Sequence, residues 1–419
     1  MEFFEIYEFI KDRKMDFKTY AKSRQSEICL ELERVKLLLE KAGNPHRGMY
    51  IIHVAGTNGK GSVCAFVCAG LDAMKKRWGR FSSPELFSVE DTICVENKYI
   101  TSEELEKIYD FLQPLSKEVE KEAGKSLSQF EINFVASLIH FKNKGCTHIC
   151  LECGMGGVGD ATNSIDDSDI CVITKISKDH TQYLGDTIEE ICENKCGIFK
   201  KSSCVISGFQ QDSIKKKISE LAGKREFIYA KELESAGFEG FSEIVSFSDE
   251  KDVKLSLSGI SQIQNASIAY EVLKKMGADN KHIRYALENA KNPARFEKIG
   301  DNVYFDGAHN PDGVEALKNS LVRYLVNKKT VFVVGFMKDK EYTEALSKLK
   351  DIKNNDISFV AVNVETNARS ESADNLKKAI ESLGFRCTTA ENVSEGIEIA
   401  KKRADIVFAV GSLYMYKEL

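Results

Sequence analysis

The stretch Ile51–Ser62 reads Ile-Ile-His-Val-Ala-Gly-Thr-Asn-Gly-Lys-Gly-Ser, an apolar run that breaks into a glycine-rich turn carrying one lysine and one hydroxyl. Gly56, Gly59 and Gly61 can take backbone angles closed to other residues. Successive N–H groups can therefore converge on one concavity, where the following helix presents its positive end. Lys60 adds a point charge, and Ser62 a hydroxyl of the kind that ligates magnesium. Tyr50–Val54 has the pattern of a buried strand, and Val63–Met74 is an apolar run long enough for a packed helix. Strand, loop and helix in this order predict a phosphate cradle. The loop departs from Gly-x-x-x-x-Gly-Lys-[Ser/Thr] at two places: position 54 is Val, and Gly61 separates Lys60 from Ser62. A glycine turn that binds no nucleotide is the competing reading, and strand, lysine, serine and helix together weigh against it.

Around this loop the chain alternates. Before it, Ile28, Leu30, Leu32, Val35, Leu37, Leu38 and Leu39 follow helical spacing up to Gly43-Asn44-Pro45. After it, helical stretches at Glu103–Ala123 and Phe130–Lys144 precede strand-like runs at Thr147–Leu151, Asp169–Thr174, Cys204–Ser207 and Glu226–Ala230, with a helix at Thr187–Phe199 among them. Strands alternating with helices predict a parallel sheet covered on both faces. Glu243–Leu257 alternates apolar and polar residues, as antiparallel strands at that sheet's margin would, and Gln262–Met276 and Lys281–Ala290 read as helices. Asn292-Pro293-Ala294-Arg295 reads as a linker into a second alternation. Its strands are Val303–Asp306, Thr330–Gly335, Ser358–Val362 and Ile406–Val410, with helices near 312–326, 341–350, 372–383 and 394–403. The fold class expected is α/β: a P-loop-containing domain with a mostly parallel sheet and an N-terminal helical segment over 1–293, then a smaller Rossmann-like α/β domain over 294–419.

With 419 residues the chain is too long for one ordinary core, and a soft prior suggests roughly two or three domains. A net charge of −5 gives no general electrostatic case for nucleic acid or an anionic membrane, so any phosphate binding is expected to be local. No stretch approaches the ~20 apolar residues of a membrane span, and Met1–Lys14 mixes acids with aromatics, unlike a signal peptide. The expected location is cytoplasmic. Among 12 cysteines, Cys150 and Cys153 form a Cys-x-x-Cys, but residues three apart on a strand point to opposite faces and no second pair completes a zinc site. Cys64, Cys68, Cys171 and Cys204 lie in apolar runs and are expected to be buried thiols.

Three polar groups follow separate strands, where ligands of open α/β sheets bind. Ser83 sits in Arg80-Phe81-Ser82-Ser83-Pro84, Glu152 at the end of an apolar run before Gly154-Met155-Gly156-Gly157, and His180 in Asp179-His180-Thr181. Each could ligate a metal or orient water, the oxygen donors most readily with magnesium. Each alone also fits a bland reading: a solvated strand-end Glu, a turn Ser, a packing His.

These residues fall within a longer likeness. His53–Ser62, Ser82-Ser83-Pro84, Leu151–Asn163, Asp179–Glu189, Lys195–Phe199, Arg295-Phe296, Asp306-Gly307-Ala308-His309-Asn310-Pro311 and Gly411-Ser412-Leu413-Tyr414 resemble, in order, the folylpolyglutamate synthase and dihydrofolate synthase family of the Mur ligase superfamily. The resemblance implies an ATP-dependent amide ligase. A folate carboxylate is phosphorylated by ATP, and the acyl phosphate is attacked by the amino group of L-glutamate, releasing ADP and phosphate. A carboxylate is a poor electrophile because its leaving group would be oxide. Phosphorylation supplies a better one, and the enzyme must then spread charge and align the groups.

The resemblance also implies roles. Gly56, Thr57, Asn58, Gly59, Lys60, Gly61 and Ser62 hold ATP, together with Asn265, Arg295 and Asp306. Two magnesium ions are served by Ser62, Ser83 and Glu152, and by His180 and a carbamylated Lys195, the carbamate deriving from CO2. Lys60, Lys195, Asp306 and His309 form the catalytic set. Gln129, Phe130, Glu131, Gly159, Asp160 and Ala161 lie toward the pterin end of the folate, and His309 and Ser412 toward the incoming glutamate. The chain carries Asn194-Lys195-Cys196-Gly197 where the family usually shows Glu-Lys-Ala-Gly, Val158-Gly159 for Arg-Leu, and Glu85 for His. Folate or dihydropteroate, ATP and L-glutamate are the expected small-molecule partners of a monomer.

Two other readings remain in view. One is another Mur-superfamily amide ligase acting on a non-folate acid, such as a peptidoglycan ligase. Those enzymes bind their UDP-linked substrate on an N-terminal domain of at least ~50 to 100 residues, whereas the loop here begins at Gly56. The second is a nucleotide-binding protein without ligase activity, which would not need Ser83, Glu152, His180, Lys195, Asp306 and His309 together.

Overall fold

The computed structural model describes residues 31–325, 327–352 and 356–419. Ile28, Leu30 and Met1–Lys14 of the expectations above lie outside them. The chain forms two compact units. Of the described residues, the first takes those up to 56, 71–176 and 181–229, and the second those in 57–70, 177–180 and 230–419.

The first unit is built on eight strands: β1 (Tyr50–Ala55), β2 (Trp78–Phe81), β3 (Ile93–Val95), β4 (Lys98–Tyr99), β5 (His148–Glu152), β6 (Ile170–Ile173), β7 (Cys204–Ser207) and β8 (Phe227–Tyr229). Their order is β4-β3-β2-β5-β1-β6-β7-β8. From β2 to β8 every pairing is parallel, and β3 and β4 extend the edge as antiparallel strands. The phosphate-loop strand β1 lies between β5 and β6, so all of its positions from Ile51 to Ala55 are buried, as its apolar run predicts.

One core packs the helices Glu33–Lys41, Ser102–Ala123 and Gln129–Asn143 against Ile51, Phe81, Ile149 and Leu151. A second packs Ile188–Cys196 and Asp212–Ala222 against Cys171, Ile173 and Val205. Three of these helices start at reciprocal capping boxes, Thr101/Glu104, Ser128/Glu131 and Thr187/Glu190, in which two orphan backbone donors are satisfied at once.

The second unit contains a sheet of six strands: β12 (Glu297–Gly300), β13 (Val303–Asp306), β14 (Lys329–Val334), β15 (Asp356–Val362), β16 (Arg386–Ala390) and β17 (Ile406–Val410), ordered β12-β13-β17-β14-β15-β16. All pairings are parallel except that of β12 with β13. Its core stacks Phe332, Phe359 and Phe408 beneath the helix Pro311–Tyr324.

One expectation needs correcting. The alternating stretch Glu243–Leu257 does not border the first sheet; it contributes to a separate antiparallel sheet of β9 (Glu234–Glu239), β10 (Ser242–Phe247) and β11 (Glu250–Lys254), ordered β11-β10-β9. The physical reason is Glu243, wholly buried where alternation suggested an outward polar residue. Its carboxylate accepts from Arg323 Nη2 (2.9 Å) and from the Tyr324 hydroxyl (2.7 Å), which ties the small sheet to the helix Pro311–Tyr324. The edge strands β4, β12 and β16, and β3 beside β4, are additions to the expected elements.

Candidate active site

The loop's glycines answer to specific neighbours. Gly56 has φ of +147°, and a Cβ there would lie 1.8 Å from Thr174 Oγ1, at the end of β6. Gly59 has φ of +93°, and a Cβ would lie 2.3 Å from Asn265 Oδ1. Any larger residue would push the loop off both supports. The helix Lys60–Ala73 follows immediately, with Val63 N–H donating to the Gly59 carbonyl at 2.9 Å, so its N-terminal N–H groups open onto the loop. Lys60 folds back to the Thr57 carbonyl (3.2 Å), and the buried Ser62 Oγ accepts from Asn292 Nδ2 (3.3 Å). Asn265, buried beside Gly59, donates to Gln262 Oε1 (3.0 Å).

Within the second unit, Asp179 meets His309 and Asn310. Asp179 Oδ2 accepts from Asn310 Nδ2 (2.9 Å) and Oδ1 from Lys340 Nζ (3.1 Å), while His309 Nε2 stands 3.8 Å from Oδ2. Burial pushes the Asp179 carboxyl up, but nearby His309 and the charges of Lys340 and His180 outweigh it and hold the group well below the usual carboxylate range. His309 Nδ1–H donates to the Gly307 carbonyl (2.8 Å), an oxygen that can only accept, so the other ring nitrogen is left to exchange protons. His180 has φ of +52°, a left-handed conformation that His tolerates better than most residues.

Arg295 is bracketed by two residues in the same region, Ala294 (φ +61°) and Phe296 (φ +45°). Such non-glycine conformations cost about 1–2 kcal/mol each and persist only where the surroundings impose them. Here Ala294 N–H donates to Glu297 Oε2 (2.7 Å), Phe296 N–H to Asp306 Oδ2 (2.8 Å), and the Phe296 ring is buried. The other oxygen of Asp306 accepts from Ala308 N–H (2.8 Å). Burial raises the Asp306 pKa, partly offset by the Arg295 charge and these two backbone donors. Ser412 is buried and accepts from Tyr414 N–H at 3.2 Å.

In the first unit, Glu152 ends β5 as a buried carboxylate, unlike the solvated strand-end Glu of the bland reading, and Ser83 is half-buried beyond β2. Lys195, buried on the helix Ile188–Cys196, donates to the Gly56 carbonyl at 2.9 Å. The glycine cluster 154–157 packs against this helix: a Cβ on Gly156 would lie 2.5 Å from Asn194 Oδ1, and one on Gly157 2.6 Å from the Lys195 carbonyl.

The segments assigned to the pterin end are largely engaged by the chain itself. Glu131 accepts from Arg34 Nη2 (2.9 Å) and Ser128 N–H (2.6 Å), and Gln129 and Ala161 are buried. Asp160 accepts from Met155 N–H (2.8 Å) and from the N–H (3.0 Å) and hydroxyl of Thr162, and Gly159 is buried beside it. The Phe130 ring is half-buried, its centroid 5.5 Å from that of Phe81. The cysteines of the described residues are buried thiols, and no group of three or more His, Cys, Asp or Glu among those residues could hold a metal ion by itself.

Residues 54–273 match the Mur ligase middle domain and residues 294–413 the Mur ligase glutamate ligase domain. The chain belongs to the Mur ligase family. Within that family it groups with the folylpolyglutamate and dihydrofolate synthases. It is 29% identical to the dihydrofolate synthase/folylpolyglutamate synthase of Bacillus subtilis over 93% of this chain and 94% of that one. It is 30% identical to the enzyme of the same name from Escherichia coli K12, over 78% and 76% of the two chains. Among solved structures, Mycobacterium tuberculosis folylpolyglutamate synthase complexed with ADP and AMPPCP superposes with a TM-score of 0.85 at 26% identity, covering 96% of this Mur ligase and 97% of that chain. Escherichia coli FolC in complex with DHPP and ADP superposes with a TM-score of 0.83 at 26% identity, over 96% and 95%. No helix among the described residues of this Mur ligase is long and apolar enough to cross a membrane.

Asp179, Asn310 and Lys340 were not assigned roles from the sequence. Their signal was present but mute: Asp179 precedes His180, Asn310 lies inside Asp-Gly-Ala-His-Asn-Pro, and Lys340 closes a charged run, Lys338-Asp339-Lys340, just past the end of β14.

Proposed function

We propose that this Mur ligase adds L-glutamate to the carboxylate of a folate at the expense of ATP, forming folylpolyglutamates, and that it also accepts dihydropteroate. The observation that carries this is the full-length correspondence to dihydrofolate synthase/folylpolyglutamate synthases, with the phosphate loop opening the middle domain and Asp306–Pro311 lying early in the ligase domain. The functional domains divide at 293/294. The protein acts as a cytoplasmic monomer.

In this reading the loop amides from Gly56 to Ser62 and Lys60 hold the β- and γ-phosphates, Arg295 adds a permanent forked cation, and Asn265 and Asp306 complete the nucleotide contacts. The donor set suits magnesium. Ser62, Ser83 and Glu152 offer the oxygens it prefers, and His180 with a carbamylated Lys195 would serve a second ion. Magnesium supplies charge neutralisation on the phosphates when bound. The buried position of Lys195 supports the carbamate, because CO2 adds to a neutral amine and desolvation favours that form.

The acyl phosphate formed on the folate is attacked by the glutamate amine, which must first lose a proton. His309, with Nδ1–H committed to the Gly307 carbonyl, takes that proton at Nε2, which stands 3.8 Å from Asp179 Oδ2. Ser412 lies toward the incoming glutamate, and Phe130 with the 159–161 backbone toward the pterin. Incubation with ATP, magnesium, L-glutamate and either tetrahydrofolate or dihydropteroate tests the reading. ADP release that depends on acceptor and glutamate is expected, and release with a UDP-muramoyl acid alone contradicts it.

A further inference from the structure

Polar contacts in the second unit close a ring. Thr57 Oγ1 donates to the Ser177 carbonyl (2.9 Å) and accepts from Ser177 N–H (3.0 Å). Two residues on, Asp179 receives Asn310 Nδ2 and Lys340 Nζ and faces His309 Nε2. Asn310, 3% exposed, also caps the helix Pro311–Tyr324 by accepting from Gly313 N–H (2.7 Å). In that helix's first turn, Asp312 accepts from Asn58 Nδ2 (2.7 Å), and Asn58 is the neighbour of Thr57. The side chains of Thr57 and Asn58 are thus turned toward 177 and 312, leaving the loop's backbone and Lys60 to face phosphate.

We propose that Asp179 is a positioning residue for the ligation reaction. It holds His309 and Lys340 against one carboxylate, and through Ser177–Thr57 and Asp312–Asn58 it ties their placement to the loop that binds ATP. This rests on the ligase reading above. A carboxylate with charged donors in a mostly desolvated place makes short, directional bonds, and its side chain is 13% exposed. One carboxylate engaged at both oxygens fixes three partners at once. Asparagine in its place keeps the shape but has one acceptor oxygen, and its amide hydrogens then oppose either Lys340 or Asn310.

The test compares Asp179→Asn, Lys340→Met and the double variant with the wild type. The account expects kcat/KM for glutamate to fall about 10²-fold in Asp179→Asn, shared between a higher KM and a lower kcat, because misplacement rather than loss of a reacting group is involved. The dissociation constant for ADP should change less than about twofold, and the melting temperature should stay close to that of the wild type, outcomes a merely structural role would not give. The double variant should be no worse than Asp179→Asn alone, since residues of one unit are non-additive. Unchanged glutamate kinetics in Asp179→Asn, or strictly additive losses in the double variant, overturn the proposal. If Asp179→Asn folds poorly, Lys340→Met alone decides: normal glutamate kinetics there overturn it equally. A wild type without glutamate-dependent ADP release overturns the ligase reading and this proposal together, whereas an active wild type with an indifferent Asp179 overturns only the latter.

Discussion

Asp160 in the first unit accepts from Met155 and Thr162, whereas Asp179 in the second accepts from Asn310 and Lys340 and faces His309. Both carboxylates are largely withdrawn from water. The donors to Asp160 are neutral and come from its own loop, so burial dominates and raises its pKa. Asn310, Lys340 and His309 lie more than a hundred residues away, and His309 with the charges of Lys340 and His180 lowers the Asp179 pKa despite burial. Thr162 continues the first network: its hydroxyl meets His53 Nε2 at 2.8 Å, and Cys153 Sγ lies 3.2 Å from the same nitrogen. A carboxylate satisfied locally by neutral groups shapes a loop; one satisfied from afar by an ammonium and an amide, with a histidine facing it, holds reactive groups in register.

The two regions should fail differently. The largest effect belongs to the charged side. Lys60→Met removes the cation of the phosphate loop and should lower turnover about 10²- to 10³-fold with little change in melting temperature, measured as glutamate-dependent ADP release. A variant with normal rates would refute the loop assignment. In the neutral network, Thr162→Val removes the hydroxyl that Asp160 and His53 share and puts a methyl in its buried place. It should cost about 2–3 kcal/mol in denaturant unfolding, with activity per folded molecule largely retained.

His53 supplies a pH test of the same network. Burial, helped by the Lys200 charge, lowers its pKa from 6.5 to about 3. The unfolded chain therefore takes up the proton first as pH falls. Stability that is complete above pH 6.5 is lost progressively between pH 6.5 and about 3, and His53→Gln should flatten that part of the profile. A wild-type profile already flat from pH 6 to 4 would contradict the buried neutral imidazole. The smallest effect is a contrast: Lys107→Ala breaks an exposed pair with Glu103 and should leave the melting temperature unmoved.

These cases show what the sequence exposes. The strand β1, the phosphate loop and its helix are local, and each is announced by hydrophobic period and glycine placement, as are β13, β14, β15 and β17. The edge strands β12 (Glu-Lys-Ile-Gly) and β16 (Arg-Cys-Thr-Thr-Ala) are half polar, because an edge needs little apolar surface, and they read as loop. Glu243 looked outward by alternation because its partner Arg323 lies 80 residues on. Ser83, Glu152, His180, Lys195 and His309 stood out by type and by family likeness. Asp179 and Lys340 gained meaning only when a contact spanning 161 residues appeared. Conversely, the Glu131 and Asp160 carboxylates looked available for ligands until their own backbone and Arg34 were seen to occupy them.

The central claim is that ATP activates a folate carboxylate for attack by glutamate. Tetrahydrofolate labelled with 18O in its side-chain carboxylates tests it directly, with the released phosphate and the product followed by mass spectrometry. One labelled oxygen in the phosphate and a product heavier by a single glutamyl residue are expected, because the oxygen that receives the phosphoryl group leaves with it. Phosphate free of label alongside a glutamylated product, or labelled folate returned unchanged while ADP accumulates, would contradict the account.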